Sequence, residues 1–537
     1  MRPKTLPAPG AAGAAAATVR RAPAHGDAAA PGPLPEWLYR VLAIGMTGLV
    51  YTPILFNYFH ADDFYYLYLL NDHRPLEFLL TPHGGHMLLV RNAAYALCHA
   101  LFGTDPRGYF ALMLITHVAN VLLLFALIRA LTASDRLACL GAALWGMCPV
   151  NEGSLGWYAV YGHVLATTLV LAVLLHVVRA GRNPAAAPWW APTAWYLALL
   201  LASMSFGVGM AVAMVFPAVL LLLLPAARFR VPRLLFWSLP PAVVGLYALL
   251  LWSYDVVSSR LDPVAFGLAD TARQLWWIIP PTAIHLVNVG VSSLLLGPFA
   301  PNLPYPSPLA YAVAVAFYAG ALALVVSGGA AARRQVLAFA LVAGSAYAMI
   351  ALGRGPLMPS FGGTPASVAA WPRYQYLGTF PLAVVACLIL RWLSMRWTPP
   401  ERWRDPLLGL WAVLTAAAYV HSGHRIEHFG DDRAGATAFL DSVHTLVEGR
   451  RATDGPLYIR NRVFPPIGYM GFESATFPGW AAAFIAYFPD DSVNGTRVFF
   501  VEPDEATIAE IRNERTATRT AHLLVTDDER GDAAATP

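Results

Sequence analysis

Apolar runs of about 17–25 residues, the length a helix needs to cross a bilayer, recur along most of this chain with short polar segments between them. They predict eleven spans, near 36–57, 107–129, 134–150, 163–180, 190–206, 209–226, 233–253, 307–327, 335–353, 375–395 and 406–421. Alternating ten-residue strand patterns are absent from these runs, and lipid demands that backbone hydrogen bonds close internally, so the spanning elements are helices. Loops on one side carry Arg129 and Arg136, then Arg179 and Arg182, then Arg228, Arg230 and Arg233. The same side continues with Arg333 and Arg334, and with Arg391, Arg396, Arg402 and Arg404. By the positive-inside rule this side and the N-terminus are cytoplasmic. The opposite side then receives 58–106, 151–162, 254–306, 354–374 and everything from about 422. Residues 274–296 are also apolar, with Trp276, Trp277 and a Pro280-Pro281 break. Counting them as a span would put Arg333 and Arg334 outside, so an interfacial or re-entrant helix is expected there.

Beyond about 422 the pattern becomes that of a soluble domain. Phe439, Leu440, Val443 and Leu446 fall at helical spacing within 433–449. Strand-like runs follow at Leu457–Phe464, Arg497–Val501 and His522–Thr526, with a helical pattern at 505–514. The order predicts a small α/β domain over 422–537, behind a transmembrane domain over 35–421. Residues 1–34, mostly Ala, Pro and Gly, are too poor in large apolar groups to build a core and are expected to form a disordered cytoplasmic tail.

Composition agrees with the pattern. Of 537 residues, 57% are hydrophobic and 13% charged, against about 25% charged in a soluble protein. The formal charge of +4 carries no nucleic-acid footprint. Cys98, Cys139, Cys148 and Cys387 lie in apolar stretches without paired spacing, so neither a disulfide framework nor a zinc ribbon is implied.

The unusual polar residues concentrate on the predicted exoplasmic side. Asp62 and Asp63 follow directly after the first span, where a carboxylate is costly to keep. Such a group can act as general base on an acceptor hydroxyl; the competing reading is a helix start, which aspartate favours. His83 and His86 stand three apart across Gly84-Gly85, and with Asp63 or Asp62 they are a candidate zinc or manganese set. A substrate contact or loop packing is the other reading of the two histidines. His117 and Asn120, three apart within the second span, suit interhelical hydrogen bonds.

Several of these residues recur as a known pattern. The acidic pair is followed by His83-Gly84-Gly85-His86, Arg91, Leu101-Phe102-Gly103, Pro106 and Tyr109, with His117 and Asn120 beyond. Arg373-Tyr374-Gln375-Tyr376-Leu377 enters the tenth span, and Pro149 precedes Trp157 between the third and fourth. Together they resemble the bacterial GT-C glycosyltransferases, the superfamily of protein O-mannosyltransferases and the aminoarabinose transferase, over most of residues 40–395. At two positions the chain departs from that pattern: Gly153 and Tyr161 stand where a glutamate and an arginine are frequent, with Glu152 and His163 close by.

The resemblance implies an α-helical polytopic membrane enzyme of the bacterial inner membrane, a hexosyl- or pentosyltransferase of cell-envelope glycan or glycoprotein synthesis. Its donor would be a polyprenyl-phosphate-linked sugar, used on the exoplasmic face, and its acceptor a glycan, lipid or protein hydroxyl. Carried over, Asp62 and Asp63 would be catalytic and Arg373 would hold the lipid phosphate, a role suited to a planar cation with several donors. Tyr374, Tyr376, His83, His86, Arg91, Glu152 and His163 complete the candidate substrate contacts. Two other classes suit eleven spans, a transporter or lipid flippase and a catalytically inactive scaffold. The absence of a visible repeat and the one-sided placement of the polar residues count against the first, and retention of both aspartates and Arg373 against the second.

Overall fold

The computed structural model describes residues 34–59, 62–72, 74–82, 86–183, 185, 187–224, 233–255, 274–297, 305–354 and 364–396, scattered residues of 406–417, Thr445, and three strands beyond. Among these, seven helices are long and apolar enough to cross a membrane: Glu36–Phe56, Pro106–Thr132, Tyr158–Arg182, Trp276–Leu296, Pro308–Ser327, Ala330–Arg354 and Tyr376–Ser394. The protein is an α-helical integral membrane protein. The helices are α1 (Glu36–Tyr51), α2 (Asp62–Asp72), α3 (Pro75–Leu80), α4 (Leu89–Phe102), α5 (Pro106–Thr132) and α6 (Asp135–Gly146). The short α7 (Glu152–Leu155) precedes α8 (Tyr161–Arg182), α9 (Ala191–Ser203), α10 (Gly207–Leu223), α11 (Arg233–Trp237) and α12 (Leu239–Asp255). Then follow α13 (Ile279–Leu296), α14 (Pro308–Ser327), α15 (Ala330–Arg354), α16 (Pro365–Ala369) and α17 (Tyr376–Ser394).

Local chemistry sets several boundaries. Asp105 caps α5 by accepting from the Arg107 amide at 3.1 Å, and Pro106 takes the first helical position, where no amide is needed. Ser134 caps α6 from 3.3 Å, and a reciprocal Thr364–Ser367 capping box opens α16. The apolar run at 134–150 yields only the 12 helical residues of α6, because a turn and Pro149 follow. Such a helix is about 18 Å long, well short of the hydrocarbon thickness. The runs at 190–206, 209–226 and 233–253 likewise contain shorter helices, and of 406–421 the described residues 406, 408–413, 415 and 417 are helical.

Of the two forms expected for 274–296, the interfacial one is not what the structure shows. A π-helical turn at Gln274–Ile278 leads into α13, which packs into the bundle against α14, α15 and α17 rather than lying along an interface. Its buried residues, among them Leu286, Asn288, Val289, Gly290 and Leu294, explain why: the segment presents a contact face to neighbouring helices, whereas Trp276 and Trp277 at its start stay exposed. Its last turn ends against Pro149, where a Cβ on Gly297 would stand 2.6 Å from the proline ring.

A buried polar network ties the spans together. His117 of α5 bonds the Tyr376 hydroxyl through Nδ1 at 2.7 Å and the Gly146 carbonyl through Nε2 at 2.9 Å. Asn120 donates to the Val164 carbonyl at 3.2 Å and to Tyr376 at 3.3 Å, while the Trp145 indole donates to Thr379 at 3.0 Å. These are the interhelical bonds that the His117–Asn120 spacing suggests, and they replace a hydrophobic driving force that lipid does not supply.

In the C-terminal region, β1 (Leu457–Asn461) pairs in parallel with β2 (Val498–Val501) and antiparallel with β3 (Leu523–Thr526), giving the order β2-β1-β3. All three strands fall within the runs expected from sequence. The helical patterns at 433–449 and 505–514, and the N-terminal tail through residue 33, lie outside the described residues.

Candidate functional site

Two polar clusters form from segments expected on the exoplasmic side. The first surrounds Arg373, in a 3-10 turn (Pro372–Tyr374) just before α17. Its guanidinium carbon lies 4.6 Å from the Trp371 ring centroid and 5.2 Å from those of Trp157 and Tyr374, and it donates to the Tyr374 hydroxyl at 3.3 Å. Arg354, at the end of α15, also reaches this cage, its guanidinium carbon 5.6 Å from the Tyr374 ring centroid. Three aromatic faces hold a half-buried cation without neutralising it, so its donors remain available to an anion.

The turn is seated on α7. Ser154 Oγ donates to the Arg373 carbonyl at 3.1 Å. Gly153 is pressed so tightly onto the turn that a Cβ there would stand 2.2 Å from the Arg373 amide nitrogen. Any side chain larger than glycine's at 153 would therefore collide with the turn. Glu152 opens α7 and is half-buried.

His163 and His86 extend the cluster. His163 is buried, its ring 3.8 Å from that of Phe206, and its Nδ1 has no hydrogen-bond partner among the described residues. His86 lies 4.4 Å from the same phenylalanine, and His86, Arg354 and Arg373 all act electrostatically on His163. His83 lies outside the described residues, and among those described no three His, Cys, Asp or Glu side chains gather as metal ligands.

The second cluster surrounds the acidic pair. Asp62 and Asp63 occupy the first turn of α2, where the helix dipole favours carboxylates. Asp63 is fully buried, whereas Asp62 is half-buried. The Tyr95 hydroxyl donates to the Asp63 carbonyl at 3.0 Å and to its Oδ1 at 3.3 Å. Burial, and then the Asp63 carboxylate, push the Tyr95 phenol well above its ordinary range, so it stays a protonated donor. Arg91, also fully buried, stands over the Tyr66 ring at 3.6 Å, and its three guanidinium nitrogens have no hydrogen-bond partner among the described residues. Arg91, Tyr95 and Cys98 share the buried face of α4 at helical spacing.

Residues 149–161 run between the two clusters. Asn57 Nδ2, just before α2, donates to the Gly156 carbonyl at 3.4 Å. Tyr158 packs edge-on to Tyr95 at 5.1 Å, and α2 packs on 158–160, while α7 of the same segment holds the Arg373 turn. Of the candidates from sequence, Arg373, Tyr374, Glu152, His86 and His163 come together, and Asp62, Asp63 and Arg91 adjoin them through this segment. Tyr376 stands apart: it is fully buried and its hydroxyl is engaged by His117 and Asn120. Sequence reasoning missed Arg354, Trp371, Phe206 and Tyr95. Only Arg354 carried a signal, as an arginine flanked by glycines at the end of an apolar run.

No family model and no curated protein matches the sequence. Among solved structures the chain is similar to ArnT from Cupriavidus metallidurans bound to undecaprenyl phosphate, with 11% identity and a TM-score of 0.48 over 90% of this chain and 88% of that one. It is also similar to the Archaeoglobus fulgidus oligosaccharyltransferase tethered to an acceptor peptide, with 12% identity and a TM-score of 0.42 over 89% and 68%. The same oligosaccharyltransferase in complex with Zn and sulfate gives 12% and 0.42 over 87% and 62%.

Proposed function

We propose that the protein is a GT-C-type membrane glycosyltransferase that moves a sugar from a polyprenyl-phosphate donor to an acceptor hydroxyl on the exoplasmic face. The observation that carries this reading is Arg373, a cation held by three aromatic rings yet free of any carboxylate partner among the described residues. Its backbone is fixed to the segment that also packs on the helix bearing the acidic pair. A phosphate departing from a sugar needs such a donor, because negative charge builds on the leaving oxygen. Arg354, on the same cage, adds a second positive charge beside it.

In the proposed step Asp62 takes the acceptor's proton, and the hydroxyl oxygen forms its bond to the anomeric carbon. The bond from that carbon to the phosphate oxygen breaks, and its electron pair leaves on polyprenyl phosphate against Arg373. One such displacement inverts the anomeric centre. Asp62 rather than Asp63 is assigned as base because it is the accessible member of the pair, and a general base must reach the proton it removes. Asp63, buried under Tyr95, holds the start of α2 in place. The acceptor-bearing compartment is exoplasmic, with the N-terminus inside, by the distribution of arginine loops.

Purified protein incubated with a panel of polyprenyl-phosphate sugars should release polyprenyl phosphate, and Asp62→Asn should abolish release while leaving the unfolding temperature in detergent unchanged. Full turnover by Asp62→Asn would overturn the assignment of the base, and no turnover with any donor by the wild type would overturn the reaction class.

A further inference from the structure

The opposite end of the bundle holds a cavity of its own. It has a volume of about 650 Å³, within the range of small-molecule sites, and lies between α1, the C-terminal ends of α5 and α8, and the start of α9. On α8 its lining begins at His176, 15 residues or about 22 Å along the helix from Tyr161 in the segment described above. Its polar wall contains Arg40, Arg129, His176, Arg179 and Arg182 against a single acid, Asp135.

The arginines are not equivalent. Arg129 is held by Glu36 at 2.7 Å and by Asp135 at 2.6 Å, and Arg40 pairs with the same glutamate. Arg179 and Arg182, in the last turn of α8, have no side-chain hydrogen bond or ion pair among the described residues and are exposed. Arg40 and Arg129 are thus neutralised by Glu36 and Asp135, while Arg179 and Arg182 stay uncompensated among the described residues. Apart from Asn183 the remaining lining is apolar, mostly alanines such as Ala126, Ala130 and Ala180, with the buried Trp195. Beside it, Trp189 is 91% and Trp190 51% exposed, the placement of residues at headgroup depth.

We propose that this cavity binds a phosphate-bearing anion, with Arg179 and Arg182 donating to the phosphate and the alanine wall taking the first part of a lipid chain. Guanidinium forks match phosphate oxygens, and basic pockets between helices at the cytoplasmic face suit anionic headgroups. Arginines that served only to orient the chain would need charge on a loop and no enclosed volume. The inference does not depend on the proposed sugar transfer, since its test reads lipid retention and not turnover.

The full-length protein is placed in nanodiscs of phosphatidylcholine, with or without phosphatidylglycerol, and retained lipid is counted by native mass spectrometry. A third arm adds inorganic phosphate to phosphatidylcholine discs and reads the unfolding temperature. Two variants are compared: Arg179→Gln with Arg182→Gln, which removes the donors, and Ala130→Leu, which fills the cavity and leaves every arginine in place. Wild type should retain phosphatidylglycerol in preference to phosphatidylcholine, and each variant should lose that preference by about tenfold or more. Stabilisation by inorganic phosphate, lost in both variants, would identify free phosphate as the source of the same chemistry. Equal retention in all three proteins overturns the proposal, as does binding of neither probe by the wild type. Loss in the arginine variant with full retention in Ala130→Leu would place binding on surface charge and overturn it too.

Discussion

Gly153→Ala sets helix propensity against the contact that seats the Arg373 turn. In α7 alanine is intrinsically favoured over glycine by about 1 kcal/mol, so local propensity predicts a more stable protein. The packing predicts the reverse. The added Cβ would stand 2.2 Å from the Arg373 nitrogen, 2.7 Å from the Pro372 carbonyl carbon and 2.8 Å from the Pro372 Cβ, where ordinary contact begins at 3.4 Å. None of these atoms is the end of a flexible side chain, so the two backbones must separate by about 1.2 Å, the difference between the first distance and that contact limit. Overpacking of this kind costs about 1–3 kcal/mol, which exceeds the propensity gain. The functional cost is larger, because the displaced backbone carries Arg373 itself, and a misplacement near 1 Å at a reacting centre lowers rates by about 100-fold. The assay is thermal unfolding in detergent beside the initial rate of polyprenyl-phosphate release at sub-saturating donor. A Gly153→Ala protein that is more stable and as active as wild type would refute the reasoning.

Tyr376→Phe removes the hydroxyl shared by His117 and Asn120 and leaves both buried side chains short of a partner, so it should destabilise the bundle by about 1–3 kcal/mol. Its donor KM should be unchanged, which separates an interhelical role from a substrate contact; a raised KM with unaltered stability would reverse that assignment. Arg373→Lys keeps the charge but loses the planar fork and its stacking on Trp157, Trp371 and Tyr374, and it should lower kcat/KM for the donor by about tenfold or more. Wild-type kinetics in this variant would show that charge alone suffices.

The helical class and most element positions were legible because lipid leaves one economical pattern, the long apolar run, for each span. The three strands near 457, 498 and 523 were legible from short apolar runs of β-branched and aromatic residues. Helix length was not. The run at 134–150 reads as a span by hydropathy, yet α6 stops at Gly146, since composition does not register where a turn and Pro149 end the helix. At 274–296 the arginine count leads to an interfacial or re-entrant helix, whereas the face that packs on α15 is formed by residues of ordinary apolar type, which give no sequence signal of bundle packing. At the candidate site, Arg373 stood out through its motif. Arg354 did not, since its relation to the Arg373 cage arises only where α15 and the turn before α17 approach one another, and Trp371, two residues before Arg373, reads from sequence as one more interface aromatic.

The two carboxylates at the start of α2 differ in surroundings far more than their adjacency suggests. Asp63 is sealed beneath Tyr95, and the buried Arg91 guanidinium lies 5.8 Å from the same tyrosine ring. The two charges act on the Tyr95 phenol with opposite sign, the carboxylate raising its affinity for the proton and the guanidinium opposing it. Burying a single ion in this position would be costly, and a second of opposite sign across the same aromatic residues offsets part of that cost. Asp63, Tyr95 and Arg91 therefore make sense as a fixed unit that orients the first turn of α2. Asp62, one residue earlier and half-exposed, is left as the carboxylate that can meet an incoming hydroxyl. On this argument the pair is not redundant: replacing Asp63 should act through the position of Asp62, lowering stability together with turnover, whereas Asp62→Asn should remove turnover alone.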